Sequence, residues 1–94
     1  MIEHLRAVAP PPRRCSVEVV RVPDLGDLGY TSKTRAKFLI EIDDALSPLE
    51  TELILIHEWA HVLDWRPYHP FVRAHGPTWA VLRGEVYCAY YGVL

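Results

Sequence analysis

Residues 47–65 read SPLETELILIHEWAHVLDW. Ser47 can cap a helix, Pro48 suits the first helical position, where its missing N–H is no loss, and Glu50 completes a capping box. The helix predicted from these signals runs to about Trp65, because Pro67 cannot continue it. Leu53, Ile54, Leu55, Ile56, Ala60, Val62 and Leu63 make it apolar nearly all round. Such a helix has to be covered on several sides, here by a sheet and a second helix. Inside the apolar run stand His57, Glu58 and His61, groups that cost free energy when buried unless each finds a partner.

The three form the pattern HExxH, as HEWAH. A spacing of four is a little over one helical turn, so His57 and His61 project from the same face. Their ring nitrogens can then meet on one zinc ion at about 2.0–2.1 Å. Glu58 lies about 100° further round the helix, beside the metal and not bound to it. There it can take a proton from a zinc-bound water and hand it to a leaving amine. By chance, this composition would give the pattern roughly 2 times in 100. Two core histidines satisfied by ordinary hydrogen bonds are the bland reading, and all three polar groups would then need separate partners.

A catalytic zinc site takes three protein ligands and keeps a fourth position open. Four residues could supply the third ligand. His75 stands before Gly76-Pro77, where a helix begins, and His69 lies in the Pro-rich stretch RPYHPFVRAHG over 66–76. Asp64 follows His61 by three residues and could instead orient its imidazole. Glu85, on the last helix, would give a two-histidine, one-carboxylate set.

Around the motif, CSVEVVRV over 15–22 reads as a strand, and PDLGDLGYTS over 23–32 as a loop punctuated by Pro23, Gly26 and Gly29. In KTRAKFLIEID, Ala36, Phe38, Ile40 and Ile42 point one way against Lys37 and Glu41, a half-buried strand. Pro77 opens a final helix that Gly92 ends, with Trp79, Leu82, Val86 and Tyr90 as its apolar stripe. Residues 1–14 read as an arm ending in the PPP tract, and residues 15–94 as a single domain. The fold class is α+β: a small antiparallel or mixed sheet packed on the HExxH helix and a C-terminal helix.

At 94 residues the chain suits one domain, which would bury roughly 60–70% of its unfolded surface. Half its residues are hydrophobic and 23% are charged, as in ordinary globular proteins. A formal net charge of -2 lacks the basic excess of a dedicated nucleic-acid binder. Arg13 and Arg14, beside three prolines, read as a solvated linker. No apolar stretch approaches the roughly 20 residues that span a bilayer. The first ten residues carry Glu3 and lack the apolar centre of a signal peptide, so a cytoplasmic location is expected. Cys15 and Cys88 are the two cysteines, too few and too far apart for a disulfide framework.

HEWAH followed after thirteen residues by HGPTW resembles the SprT-like zinc metalloproteases, which pair HExxH with a downstream HGxx-aromatic element. The resemblance covers roughly residues 47–92 and implies a zincin-like fold. It implies His57, His61 and His75 as zinc ligands, Glu58 as the catalytic base, and Trp79 as the aromatic at the start of the final helix. The Cys-rich zinc ribbon and basic tail of some members have no counterpart in the sequence, so a role on DNA–protein complexes is not carried over. The metzincin extension is excluded, because Asp64 and Pro67 occupy its glycine and third-histidine positions.

The expected function is zinc-dependent hydrolysis of peptide bonds. The alternative is a non-catalytic module whose zinc only holds helices together. A protein or peptide substrate would lie along an edge strand by strand addition, with Lys37–Ile42 as the expected edge. Tyr30, Tyr68, His69 and Arg73 are candidate donors to the oxyanion that forms during hydrolysis.

Overall fold

A computed structural model describes residues 1–65 and 75–93. Six elements follow one another: α1 (Ile2–Val8), β1 (Ser16–Val22), β2 (Gly29–Thr34), β3 (Lys37–Asp43), α2 (Pro48–Leu63) and α3 (Pro77–Tyr91). The fold is α+β, with a mixed three-stranded sheet in the order β1-β3-β2. β1 runs parallel to β3, pairing Ser16 with Lys37 through Val22 with Asp43. β2 runs antiparallel to β3 from Gly29–Ile42 to Thr34–Lys37, closed by the two-residue turn Arg35-Ala36. Arg35 takes φ +56° in that turn.

The sheet offers one face to the core. Val17, Phe38, Ile40 and Ile42 are buried there, against Leu55, Ile56, Trp59 and Val62 of α2. The alternation of β3 produces this directly, since residues two apart share a face. Helix α2 touches β2, β3 and α3, so the apolar character seen nearly all round it is matched by cover on several sides. Its N-terminus carries the full capping box. Glu50 N–H donates to Ser47 Oγ at 3.2 Å, and Ser47 N–H donates to Glu50 Oε1 at 3.0 Å. Arg21 of β1 reaches across to Thr51 Oγ1 at 3.1 Å and ties the sheet to the first turn of α2. Helix α3 ends as expected, with Gly92 left-handed at φ +68°.

Four expectations need correction. The strand read over 33–43 divides into the end of β2, the turn Arg35-Ala36 and β3, so Ala36 is exposed and not on the buried face. The strand at Lys37–Ile42 is the centre of the sheet and not its edge, because β1 comes back parallel on its free side. Leu39 on its outer face fits a strand flanked on both sides. Residues 29–32 are not loop but the start of β2, a polar strand whose membership is set by pairing with β3. The segment 1–14, expected as an arm, contributes a helix, and Leu5 of α1 is 0% exposed in the core. Trp59 Nε1–H donates to Ala9 O at 2.7 Å and Arg6 donates to Val17 O at 2.7 Å, so this helix is docked at two points.

Candidate metal centre

His57 and His61 leave α2 on the side that faces the start of α3. His75 stands two residues before α3 begins, and its ring turns back over α2. The three Nε2 atoms form a near-equilateral triangle, with edges of 3.3 Å (His57–His61), 3.0 Å (His61–His75) and 3.1 Å (His75–His57). Ligand nitrogens about 2.0–2.1 Å from a tetrahedral zinc lie about 3.3–3.4 Å apart. The triangle therefore has the size of one face of such a tetrahedron. Among the described residues these three histidines are the group able to hold a metal ion.

Trp79, in the first turn of α3, forms the wall behind them. Its ring stacks on His61 at 5.3 Å and meets His57 and His75 edge-on, each at 4.7 Å between centroids. Its Nε1–H reaches His57 O at 3.4 Å. An aromatic plane in this place fixes ring orientation and excludes water from one side of the site.

The electrostatics favour the ligand form of the two imidazoles on α2. Burial lowers the pKa of His57, with His75 and Arg83 adding positive charge nearby. Burial also brings His61 down to about 4, helped by His57 and His75. A depressed pKa keeps the ring neutral at pH 7, with its lone pair free for a metal.

Glu58 is 6% exposed. Its Oε1 accepts from Thr31 Oγ1 at 2.7 Å, and its Oε2 stands 3.6 Å from His57 Nε2. Burial raises its pKa and nearby Asp27 adds to the rise, while the Thr31 hydrogen bond and His75 pull the other way. A carboxylate with a raised pKa beside a metal position is suited to accept a proton and release it again.

A cleft of about 460 Å³ opens over these groups. Asp27, Leu28, Gly29, Tyr30 and Thr31 form one side, and Ile54, His57, Glu58, His61, Trp65 and His75 the other. Leu28, Tyr30 and Trp65 stay 58%, 55% and 37% exposed, so apolar surface lines the rim. At Gly29, β2 lies close against α2. A Cβ there would lie 2.7 Å from Ile54 Cγ2 and 3.1 Å from Glu58 Cγ.

The structure thus brings together His57, Glu58, His61 and His75. Asp64 caps the C-terminus of α2, its N–H bonded to Ala60 O at 3.0 Å, and belongs to no metal-holding group among the described residues. Glu85 is exposed on α3 and stands apart from the group as well. His69, Tyr68 and Arg73 lie outside the described residues. Tyr30 does line the cleft. Thr31 and Gly29 were missed, because a polar segment with two nearby glycines and a proline gives only a loop signal. Comparison with known protein families, with curated proteins and with solved structures finds no match for this chain.

Proposed function

We propose that this protein is a zinc-dependent metallopeptidase with a zincin-like, SprT-like core. The observation that carries the reading is the triangle of His57, His61 and His75 Nε2 atoms with the buried Glu58 carboxylate beside it. Three imidazole nitrogens at tetrahedral spacing suit zinc, which when bound would polarise a scissile carbonyl and activate a water molecule. Glu58 Oε2 is the oxygen turned toward the histidines, and it would accept the proton and later deliver it to the leaving amine. Thr31 keeps Oε1 out of that exchange. Trp79 shields the far side of the imidazoles. The substrate would be an extended peptide lying in the cleft beside β2, the sheet edge next to Glu58.

A module with purely structural zinc would use the same three histidines. It would have no use for a carboxylate held 6% exposed beside them, where burial costs free energy. The peptidase reading accounts for Glu58.

The test measures zinc per chain and cleavage of a mixed-sequence, fluorescence-quenched peptide library. Wild type should carry about one zinc and cleave a subset of the library. Glu58→Gln should keep the zinc and lose about 10²–10⁴-fold in rate. His75→Ala should lose most of the metal. Retained activity in Glu58→Gln would remove the assigned base, and full zinc in His75→Ala would move the third ligand to His69, Asp64 or Glu85. Stoichiometric zinc with no cleavage by wild type would favour the structural module.

A further inference from the structure

We propose that Thr31 is a positioning residue that clamps the Glu58 carboxylate, reserving Oε1 and turning Oε2 toward the three imidazoles. The inference deepens the peptidase reading and rests on it. The Thr31 hydroxyl donates to Glu58 Oε1 at 2.7 Å, and its other acceptor among the described residues, at 3.4 Å, is the main-chain oxygen of the same residue. The hydroxyl comes from β2, an element otherwise remote in sequence, and registers against Ile40 of the central strand. Its position is therefore fixed by the sheet and not by α2. Two residues earlier Gly29 leaves the room this placement needs, since an added Cβ would come 3.1 Å from Glu58 Cγ and 3.3 Å from Oε2. The Thr31 bond thus engages one carboxylate oxygen and leaves the other unclaimed by it. Oε2 is left 3.6 Å from His57 Nε2, beside the place where the ring nitrogens converge and not among them.

The clamp answers a problem any such site faces. A glutamate on the same helix as two metal ligands is free to rotate about three torsions, and it could turn away from the reacting atoms or compete for the metal. One charge-assisted hydrogen bond from a rigid strand removes that freedom. A base displaced by as little as about 1 Å can lose about 100-fold in rate.

The experiment uses the zinc-loaded full chain as wild type, Thr31→Val, Thr31→Ser and Glu58→Gln, each labelled with ¹³C at the glutamate carboxyls. The Glu58 carboxyl resonance is assigned by its loss in Glu58→Gln. It should move in Thr31→Val, which keeps the shape and lacks the donor, and return to the wild-type position in Thr31→Ser. In parallel, kcat and KM are measured on one quenched peptide that wild type cleaves, well below the unfolding temperature. Thr31→Val should lose about 10–100-fold in kcat, with KM within about 2-fold of wild type and zinc content unchanged. Thr31→Ser should recover most of the rate. An unmoved resonance in Thr31→Val overturns the proposal. So does a kcat within about 2-fold of wild type, or a loss of zinc that explains the rate. A wild type that cleaves no peptide overturns the peptidase reading, and the resonance still decides whether Thr31 holds Glu58.

Discussion

Helices α2 and α3 both open on proline, yet they are held to the protein very differently. Helix α2 has a complete capping box and buries Thr51, Leu55, Ile56, Glu58, Trp59, Ala60 and Val62. Helix α3 starts at Gly76 without a side-chain cap and fully buries Val86 alone. His57, His61 and Glu58, the proposed ligands and base, ride on the firmly held helix. His75, the proposed third ligand, arrives just ahead of the lightly held one. In such an arrangement α2 would supply a preformed half of the proposed metal centre, and metal binding would contribute free energy by securing the other half.

The largest expected effect contrasts two tryptophans. Trp59 is 0% exposed and bonded through Nε1 to Ala9 O, so Trp59→Ala should cost about 3–5 kcal/mol in urea unfolding. Trp79 is half-buried against the three imidazoles. Trp79→Ala should cost the metal-free protein clearly less, while weakening zinc binding by about 10–100-fold. Equal losses of stability in the two metal-free variants would break the comparison, because α3 would then be as much a part of the core as α2.

A smaller effect is expected from pH, again without metal. His61 is pushed down to about 4 and His57 is lowered from 6.5, both chiefly by burial. The unfolded chain takes up these protons first as pH falls. Stability should therefore be full above about 6.5 and drop progressively toward about pH 4. Glu58 acts with the opposite sign. Its pKa is raised from 4.5, so its contribution is present at low pH and lost as pH rises through the folded value. Glu58→Gln isolates the histidine effect, and urea midpoints read across pH 4 to 8 should show it. A flat profile in that variant would mean that the imidazoles of α2 are not buried as described.

The smallest concerns the cap that α3 lacks. Ser47→Ala should cost about 1 kcal/mol, since it removes a bond to Glu50 N–H and leaves a donor of the first turn unmet. A change near zero would place the whole difference between the helices in their packing.

What was readable in the sequence follows the same division. Helix α2 announces itself through Ser47, Pro48 and Glu50, and HEWAH displays both ligand spacing and the candidate base within five residues. Pro77 and Gly92 mark α3 because each answers a local backbone requirement. The strands were harder. Phe38, Ile40 and Ile42 alternate whether the strand is central or at an edge, so the pattern of β3 could not reveal its neighbours. The order β1-β3-β2 depends on a parallel return between segments about twenty residues apart, which no local signal records. Helix α1 has seven residues, no side-chain cap and one core side chain, Leu5, too little periodicity to stand out from an arm. At the site, the HGPTW resemblance ranked His75 above its rivals, and the structure brings that histidine to the other two. Thr31 was invisible because its role exists only once β2 lies against α2.

The polarity that hid β2 also bears on the protein's colloidal behaviour. Among the described residues β2 pairs with β3 on one side only, so its outer rim presents main-chain donors and acceptors beside an apolar-rimmed cleft. A rim of that kind is a template on which further chains can add, the usual seed of fibrillar aggregation. The sequence GYTSKT counters it with hydroxyls, a glycine and the charge of Lys33, whose ammonium lies 5.7 Å from the centre of the Phe38 ring. A strand rich in valine or isoleucine would have been easy to recognise in the sequence. In this position it would also have invited another copy of the chain into the cleft.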